Sequence, residues 1–176
     1  IEIRNPNNVN RGTFKWSFPM KDELDFHTAC DILLLDTSAT VVRAELYTIE
    51  CKAVPSLKSL QGATVDVEEL NFLARRLDSL DEKEINTFQA VMTANNMESL
   101  SDLINLTYNL QNYVLVSDFN NKKKIAEDIT FARDGCMTEE ADIELAEEML
   151  LNSTGKMTPY GVIFNLYPNR NEIEYD

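Results

Sequence analysis

The stretch TVDVEELNFLARRLDSLDEKEINTFQAVMTANNMESLSDLINLTYNL, residues 64–110, reads as three consecutive helices, each with its own start signal. Asp66 is placed to cap the first. Its carboxylate can accept from the free backbone N–H groups, and Glu68 and Glu69 follow in the first turn, where the helix dipole favours negative charge. Leu70, Leu73, Leu77 and Leu80 recur at alternating spacings of three and four, which gathers them on one face. That face is expected to be core. Asp81 with Glu84 is a D-x-x-E variant of the capping box and starts a second helix. This helix should bury Ile85, Phe88, Val91 and Met92 before Asn95 and Asn96 close it. Ser99 with Asp102 repeats the device, and Leu100, Leu103, Ile104 and Thr107 line the third helix. The three together make a helical layer.

The acids of this layer, Glu68, Asp78, Asp81, Glu82 and Glu84, fall away from the leucine face. A second acidic face lies further on. Thr138 is placed as an N-cap with Glu139, Glu140 and Asp142 in the opening turn. On the helical wheel Glu140, Glu144, Glu147 and Glu148 share one side while Ile143, Ala146, Met149 and Leu150 share the other. With Glu69, these carboxylates are the candidate partner-binding residues.

Across its 176 residues the chain carries 30 acidic against 16 basic side chains, a formal charge of −14. Such a surface repels DNA phosphates and anionic lipid, so neither direct nucleic-acid binding nor membrane binding is expected. The same field attracts a basic protein surface, and nucleic-acid enzymes are the commonest proteins of that kind. A hydrophobic content of 44% is ample for a packed core. Cys30, Cys51 and Cys136 are widely spaced without C-x-x-C, which indicates neither a disulfide framework nor a zinc knuckle and fits a reducing cytoplasm. The longest apolar run, Ile32 to Leu35, is far too short to span a bilayer. The first residue is Ile rather than Met, so the chain is expected to lack at least its initiator.

Outside the helical layer the pattern changes. Ile1 to Arg4 reads as a strand, and Phe14, Trp16 and Phe18 alternate with Lys15 and Ser17 as a half-buried strand that Pro19 ends. Lys21 to Asp31 can form a short helix, Val41 to Cys51 returns to strand alternation, and Ala53 to Ala63, with Pro55 and Gly62, reads as a linker. Tyr113 to Val116 is a short apolar strand. Asp118 is placed to cap a helix with Ile125, Ala126 and Ile129 inward and Gly135 at its C-terminal end, and Lys122 to Lys124 fall near its start, where the dipole disfavours cations. After a break at Asn152 to Lys156, Tyr160 to Tyr167 and Glu172 to Tyr175 read as a terminal hairpin. The fold class is therefore α+β: a chain of small α+β units, 1–63 and 112–176, flanking a helical layer at 64–111.

Catalytic signals are thin. His27 is the single histidine, which removes histidine-based metal clusters and leaves any Ser-His-Asp or Cys-His device dependent on one residue. The five glycines are isolated from one another, so no glycine-rich loop cradles a phosphate. The paired carboxylates sit at exposed helical positions, where nothing splits their pKa values. There is no D-x-D-x-D-G calcium loop. No enzyme, cofactor or metal site is expected.

Phe14-Lys15-Trp16-Ser17-Phe18-Pro19 resembles the G-x-W-x-x-F-P region of antirestriction proteins of the ArdA family, and Glu69-Leu70-Asn71-x-Leu73 with Leu77-x-x-Leu80 resembles that family's E-L-N-x-L helix and its sequel. Asn71 to Leu77, Asp102 to Thr107 and Thr158 to Val162 are similar to N-F-L-A-x-R-L, D-L-I-N-L-T and T-P-Y-G-V segments of ArdA-like proteins encoded on Gram-positive mobile elements. The resemblance implies an elongated acidic homodimer of small domains that imitates bent B-form DNA. It would occupy the DNA-binding groove of Type I restriction and modification enzymes and protect a plasmid, transposon or phage. Arg75, Arg76 and Lys122 to Lys124 interrupt the charge expected of such a mimic. Two rivals stand beside this reading: a mimic that inhibits another defence nuclease, such as a CRISPR effector, and an interaction module of a larger mobile-element protein whose acidity serves solubility alone.

Overall fold

Ala44 and Leu46 are fully buried while Arg43 and Tyr47 are exposed, the period-two signature of a strand with one face on a core. This strand, β3 (Arg43–Thr48), has β1 (Glu2–Arg4) on one side and β4 (Thr64–Asp66) on the other, and β2 (Phe14–Lys15) extends the sheet beyond β1. All pairs are antiparallel, with Ile3 opposite Leu46 and Ala44 opposite Val65. On the other face Arg4 grips Glu45 through two hydrogen bonds of 2.8 and 2.6 Å and lies over the Tyr47 ring at 4.8 Å. The guanidinium holds the Glu45 carboxyl below the usual carboxylate range.

The computed structural model describes residues 1–134, 143–168 and 173–175, an α+β chain whose residues form two units. One comprises Ile1–Leu80 with Glu98–Ile104, the other Asp81–Met97 with Asn105–Asp176. The stretch expected to form a separate helical layer at 64–111 is thus divided between the two.

In the first unit, α1 (Glu23–Leu33) is capped by Asp22 and α2 (Val67–Asp78) by Asp66. Two readings need correction here. The alternating stretch Phe14 to Phe18 is a strand only over Phe14–Lys15. Trp16 still pairs with Ile1 through backbone bonds of 2.7 and 3.0 Å, and the ladder stops there. Residues 53–63 are not a linker. Pro55–Leu60 forms a 3₁₀ helix with Leu57 and Leu60 buried, and Gly62 and Ala63 bond to both backbone groups of Leu46.

The second unit holds α3 (Glu82–Asn95), the latter half of α4 (Leu100–Asn109), β5 (Tyr113–Val116), α5 (Lys122–Asp134), α6 (Ile143–Leu151), β6 (Gly155–Thr158) and β7 (Gly161–Asn165). The sheet is antiparallel in the order β5-β7-β6. Val114, Val116 and Phe164 point to one side and form a core with Ile125, Ala126 and Ile129 of α5 and Ala146 of α6. The opposite side faces α3. There the Lys156 ammonium reaches Asn95 at 2.6 Å, and the Tyr160 hydroxyl donates to Gln89 at 3.0 Å.

The terminal hairpin is therefore β6 with β7, turning at Pro159-Tyr160, and not Tyr160–Tyr167 with Glu172–Tyr175. GKMT carries too little apolar alternation to read as a strand, yet it pairs along its whole length. Because β7 is central, its edges are both used, and β5 and β6 are the outer strands. Residue 172 lies outside the described residues. Ile173 is clasped at both backbone groups by the Asn109 carboxamide, at 2.9 and 3.0 Å, and the Tyr175 N–H donates to the Asn105 carboxamide oxygen. The fifth helix also begins differently: Asn121, rather than Asp118, accepts from the Lys124 N–H at 3.0 Å, while Asp118 accepts from Asn120. Ile125, Ala126 and Ile129 are buried as expected, and Phe131 is exposed.

Gly161 opens β7 at φ 135°, and a Cβ there would lie 2.7 Å from the Val116 carbonyl oxygen. Both backbone strain and a rigid neighbour oppose any side chain. Gly161→Ala is expected to destabilise the protein by more than ~1 kcal/mol. Urea unfolding with a lowered midpoint and an unchanged slope is the expected readout; an unchanged midpoint would contradict it.

Candidate functional site

The first acidic group is set by how α2 starts and packs. Asp66 accepts from the Glu68 N–H at 2.8 Å, which fixes the helix phase, and Val67, Leu70, Leu73 and Leu77 are buried. Glu68 and Asp78 are consequently exposed, whereas Glu69 is half-buried and offers less of its charge to a partner. Leu80 lies beyond the end of the helix and is half-buried.

The start of α3 is the capping box read from the sequence. Asp81 accepts from the Glu84 N–H at 2.8 Å, and Glu84 accepts from the Asp81 N–H at 2.9 Å. Both carboxylates spend part of their accepting capacity on backbone, although both remain exposed. Glu82 is exposed beside them. Lys83 turns instead to Asp128 on α5 at 2.6 Å and passes over the Phe131 ring at 5.1 Å. No sequence spacing announced that tie, because its partners are 45 residues apart.

On α6, Glu144, Glu147 and Glu148 are exposed and Ala146 is buried, so the two faces separate as the wheel implied. The apolar side is shallower than expected: Met149 and Leu150 are half-buried and Ile143 is exposed. Glu147 is not a free charge, since the Lys122 ammonium lies 2.6 Å from its carboxylate and is itself held above the ordinary lysine pKa by that bond. Glu140 lies outside the described residues, as do Gly135, Cys136, Thr138, Glu139 and Asp142.

The candidates thus divide. Glu68, Glu69 and Asp78 belong to the first unit, and Asp81, Glu82, Glu84, Glu144, Glu147 and Glu148 to the second. Glu68, Asp78, Glu82, Glu144 and Glu148 form no ion pair among the described residues.

Among the described residues no group of three or more His, Cys, Asp and Glu side chains could hold a metal ion. His27 is exposed on α1 with its ring edge-on to Phe26 at 5.7 Å. Cys30 and Cys51 are free thiols, and burial pushes the Cys30 pKa up to about 11, which leaves a poor nucleophile. No helix among the described residues is long and apolar enough to cross a membrane. The chain matches no protein-family model, no curated protein and no solved structure.

Exposed carboxylates without partners contribute little to stability, while capping ones contribute measurably. Combined replacement of Glu82, Glu144 and Glu148 by Gln is expected to change unfolding free energy by less than ~0.5 kcal/mol per site. Asp81→Ala, which removes a cap, should cost about 1 kcal/mol. A loss per replaced stripe residue as large as that of Asp81→Ala, measured by urea unfolding, would show that the stripe is structural.

Proposed function

We propose that this protein is a non-enzymatic acidic mimic of duplex DNA of the ArdA kind. It works in the cytoplasm by occupying the DNA-binding groove of a Type I restriction and modification enzyme, to the benefit of a mobile element or phage. The observation that carries the proposal is the set of exposed, unpaired carboxylates on α2, α3 and α6 in a chain of formal charge −14. A surface of that kind does not serve packing, and its natural complement is a basic groove. The family resemblance of the Phe14–Pro19, Asn71–Leu77, Asp102–Thr107 and Thr158–Val162 segments supports the same assignment.

Charge spacing limits how the mimicry can work. Duplex DNA carries about one charge per 3.4 Å of axis on each strand. Glu144 and Glu148, four residues apart on one helix, lie about 6 Å apart along its axis. One helix is therefore sparser than one phosphate strand, and several acidic faces must act together. A homodimer doubles the number of such faces and supplies a two-fold axis like that of a duplex site, so we propose the dimer as the active form.

Titrating the protein into a Type I methyltransferase bound to labelled duplex should release the DNA. Release should be strongest at low salt and weaker, with a flatter salt dependence, for the Glu82, Glu144 and Glu148 to Gln variant. Displacement absent at every ratio removes the Type I target. The same titration against a CRISPR effector then separates another nuclease from a module whose acidity serves solubility alone. Sedimentation velocity at tens of micromolar is expected to show a dimer; a monomer throughout would remove that part of the proposal.

A further inference from the structure

The first unit contains a cavity of about 680 Å³ between the start of α1 and one face of α2. Small-molecule sites occupy ~300–1,000 Å³ and combine apolar walls with a few placed polar groups. Here Met20, Phe26 and Phe72 supply the apolar walls, and Lys21, Asn71 and Arg75 supply the polar groups.

Asn71 decides what such a site would take. The residue is 92% buried, and its carboxamide oxygen is fixed by the Met20 N–H at 2.7 Å. The Nδ2 group has no hydrogen-bond partner among the described residues, so of the two ends of the carboxamide only the donor is uncommitted. A donor with no partner in the protein is free to meet an acceptor on a ligand. Lys21 and Arg75 form no ion pair among the described residues. Asp22 also lines the cavity, but its carboxylate accepts the Asp25 N–H at 3.0 Å as the cap of α1. Glu68 lines it too, seven residues before Arg75 and therefore about 10 Å away along the helix. Arg75 and Lys21 are thus the cations left for an anion, and His27 adds a further ring nitrogen to the lining.

We infer that this cavity binds a small aromatic carboxylate, its ring against Phe26 and Phe72 and its carboxylate on the Asn71 Nδ2 and the Arg75 and Lys21 cations. Two-point, charge-assisted recognition suits a guanidinium, and the aromatic walls favour a flat apolar body over an inorganic anion. The site does not depend on the acidic faces of α3 and α6. It gives the single histidine, Lys21 and Arg75 a common surrounding.

Phenylacetate titrated into the full chain, followed by ¹H–¹⁵N spectra, is the test. Saturable shifts are expected at the Asn71 side-chain NH₂ and at backbone amides around Phe26 and Phe72, with millimolar or tighter affinity. Phenethylamine, of the same size and opposite charge, should give none. Arg75→Gln, at an exposed position that leaves the fold intact, should weaken phenylacetate roughly tenfold, about what loss of one charge-assisted hydrogen bond removes. The Glu82, Glu144 and Glu148 to Gln variant should bind phenylacetate as the parent does. Absence of saturable shifts, equal binding of the amine, or unchanged affinity in Arg75→Gln would each overturn the inference.

Discussion

Mutual repulsion among 30 carboxylates is the constraint to which the rest of the structure is fitted. A folded chain of this charge can keep its acids in water, or place them where a positive potential offsets the repulsion, and helix N-termini are the nearest such places. Asp22, Asp66 and Asp81 each accept a backbone N–H at the start of a helix. Glu68, Glu69, Glu82 and Glu84 fill first turns. Part of the acidity is therefore also the means by which helices begin. That economy leaves the leucine and valine faces of α2 and α3 free of charge and lets them form core.

The few cations are placed differently. Arg4, Lys83 and Lys122 each reach a carboxylate on another element, at Glu45, Asp128 and Glu147. Lys122 explains how a run of three lysines is tolerated at the unfavourable end of α5. One is drawn to α6, and Lys123 lies 3.9 Å from Glu127 on its own helix. Exposed pairs of this kind contribute little energy. Their larger effect is on the surface: they remove Glu147 from the acidic stripe and leave Glu144 and Glu148 as its unpaired members among the described residues.

What was legible in the sequence follows from how many residues each signal spans. The starts of α2 and α3 were visible because a cap, a first-turn acid and two or more turns of apolar period agree over a dozen residues. The strands β4 and β6 were not, because three or four residues hold too little alternation. Thr64–Asp66 and Gly155–Thr158 are strands only through their partners β3 and β7. Residues 53–63 looked like a linker because Pro55 and Gly62 punctuate them, and burial of Leu57 and Leu60 overrode the punctuation. For the candidate site, exposure was readable from the wheel, but ion pairing was not. Asn71 is the clearest case of a hidden role: inside a helical run it looks like any polar residue, and only the fold brings the Met20 N–H to its oxygen.

Acidic composition alone does not separate mimicry from solubility, since both place carboxylates in solvent. The separating quantity is how many carboxylates remain available after capping and pairing. On α3, Asp81 and Glu84 each hold a backbone N–H, and only Glu82 is uncommitted; on α6, Lys122 holds Glu147. A capping carboxylate accepts bonds that a partner's arginine would also need, so it meets that arginine with fewer lone pairs and a fixed orientation. Glu68, Asp78, Glu82, Glu144 and Glu148 have no such prior commitment and can reorient toward a basic groove. If this surface imitates phosphate, the imitation rests on uncommitted side chains such as these more than on the total number of acids that the composition counts.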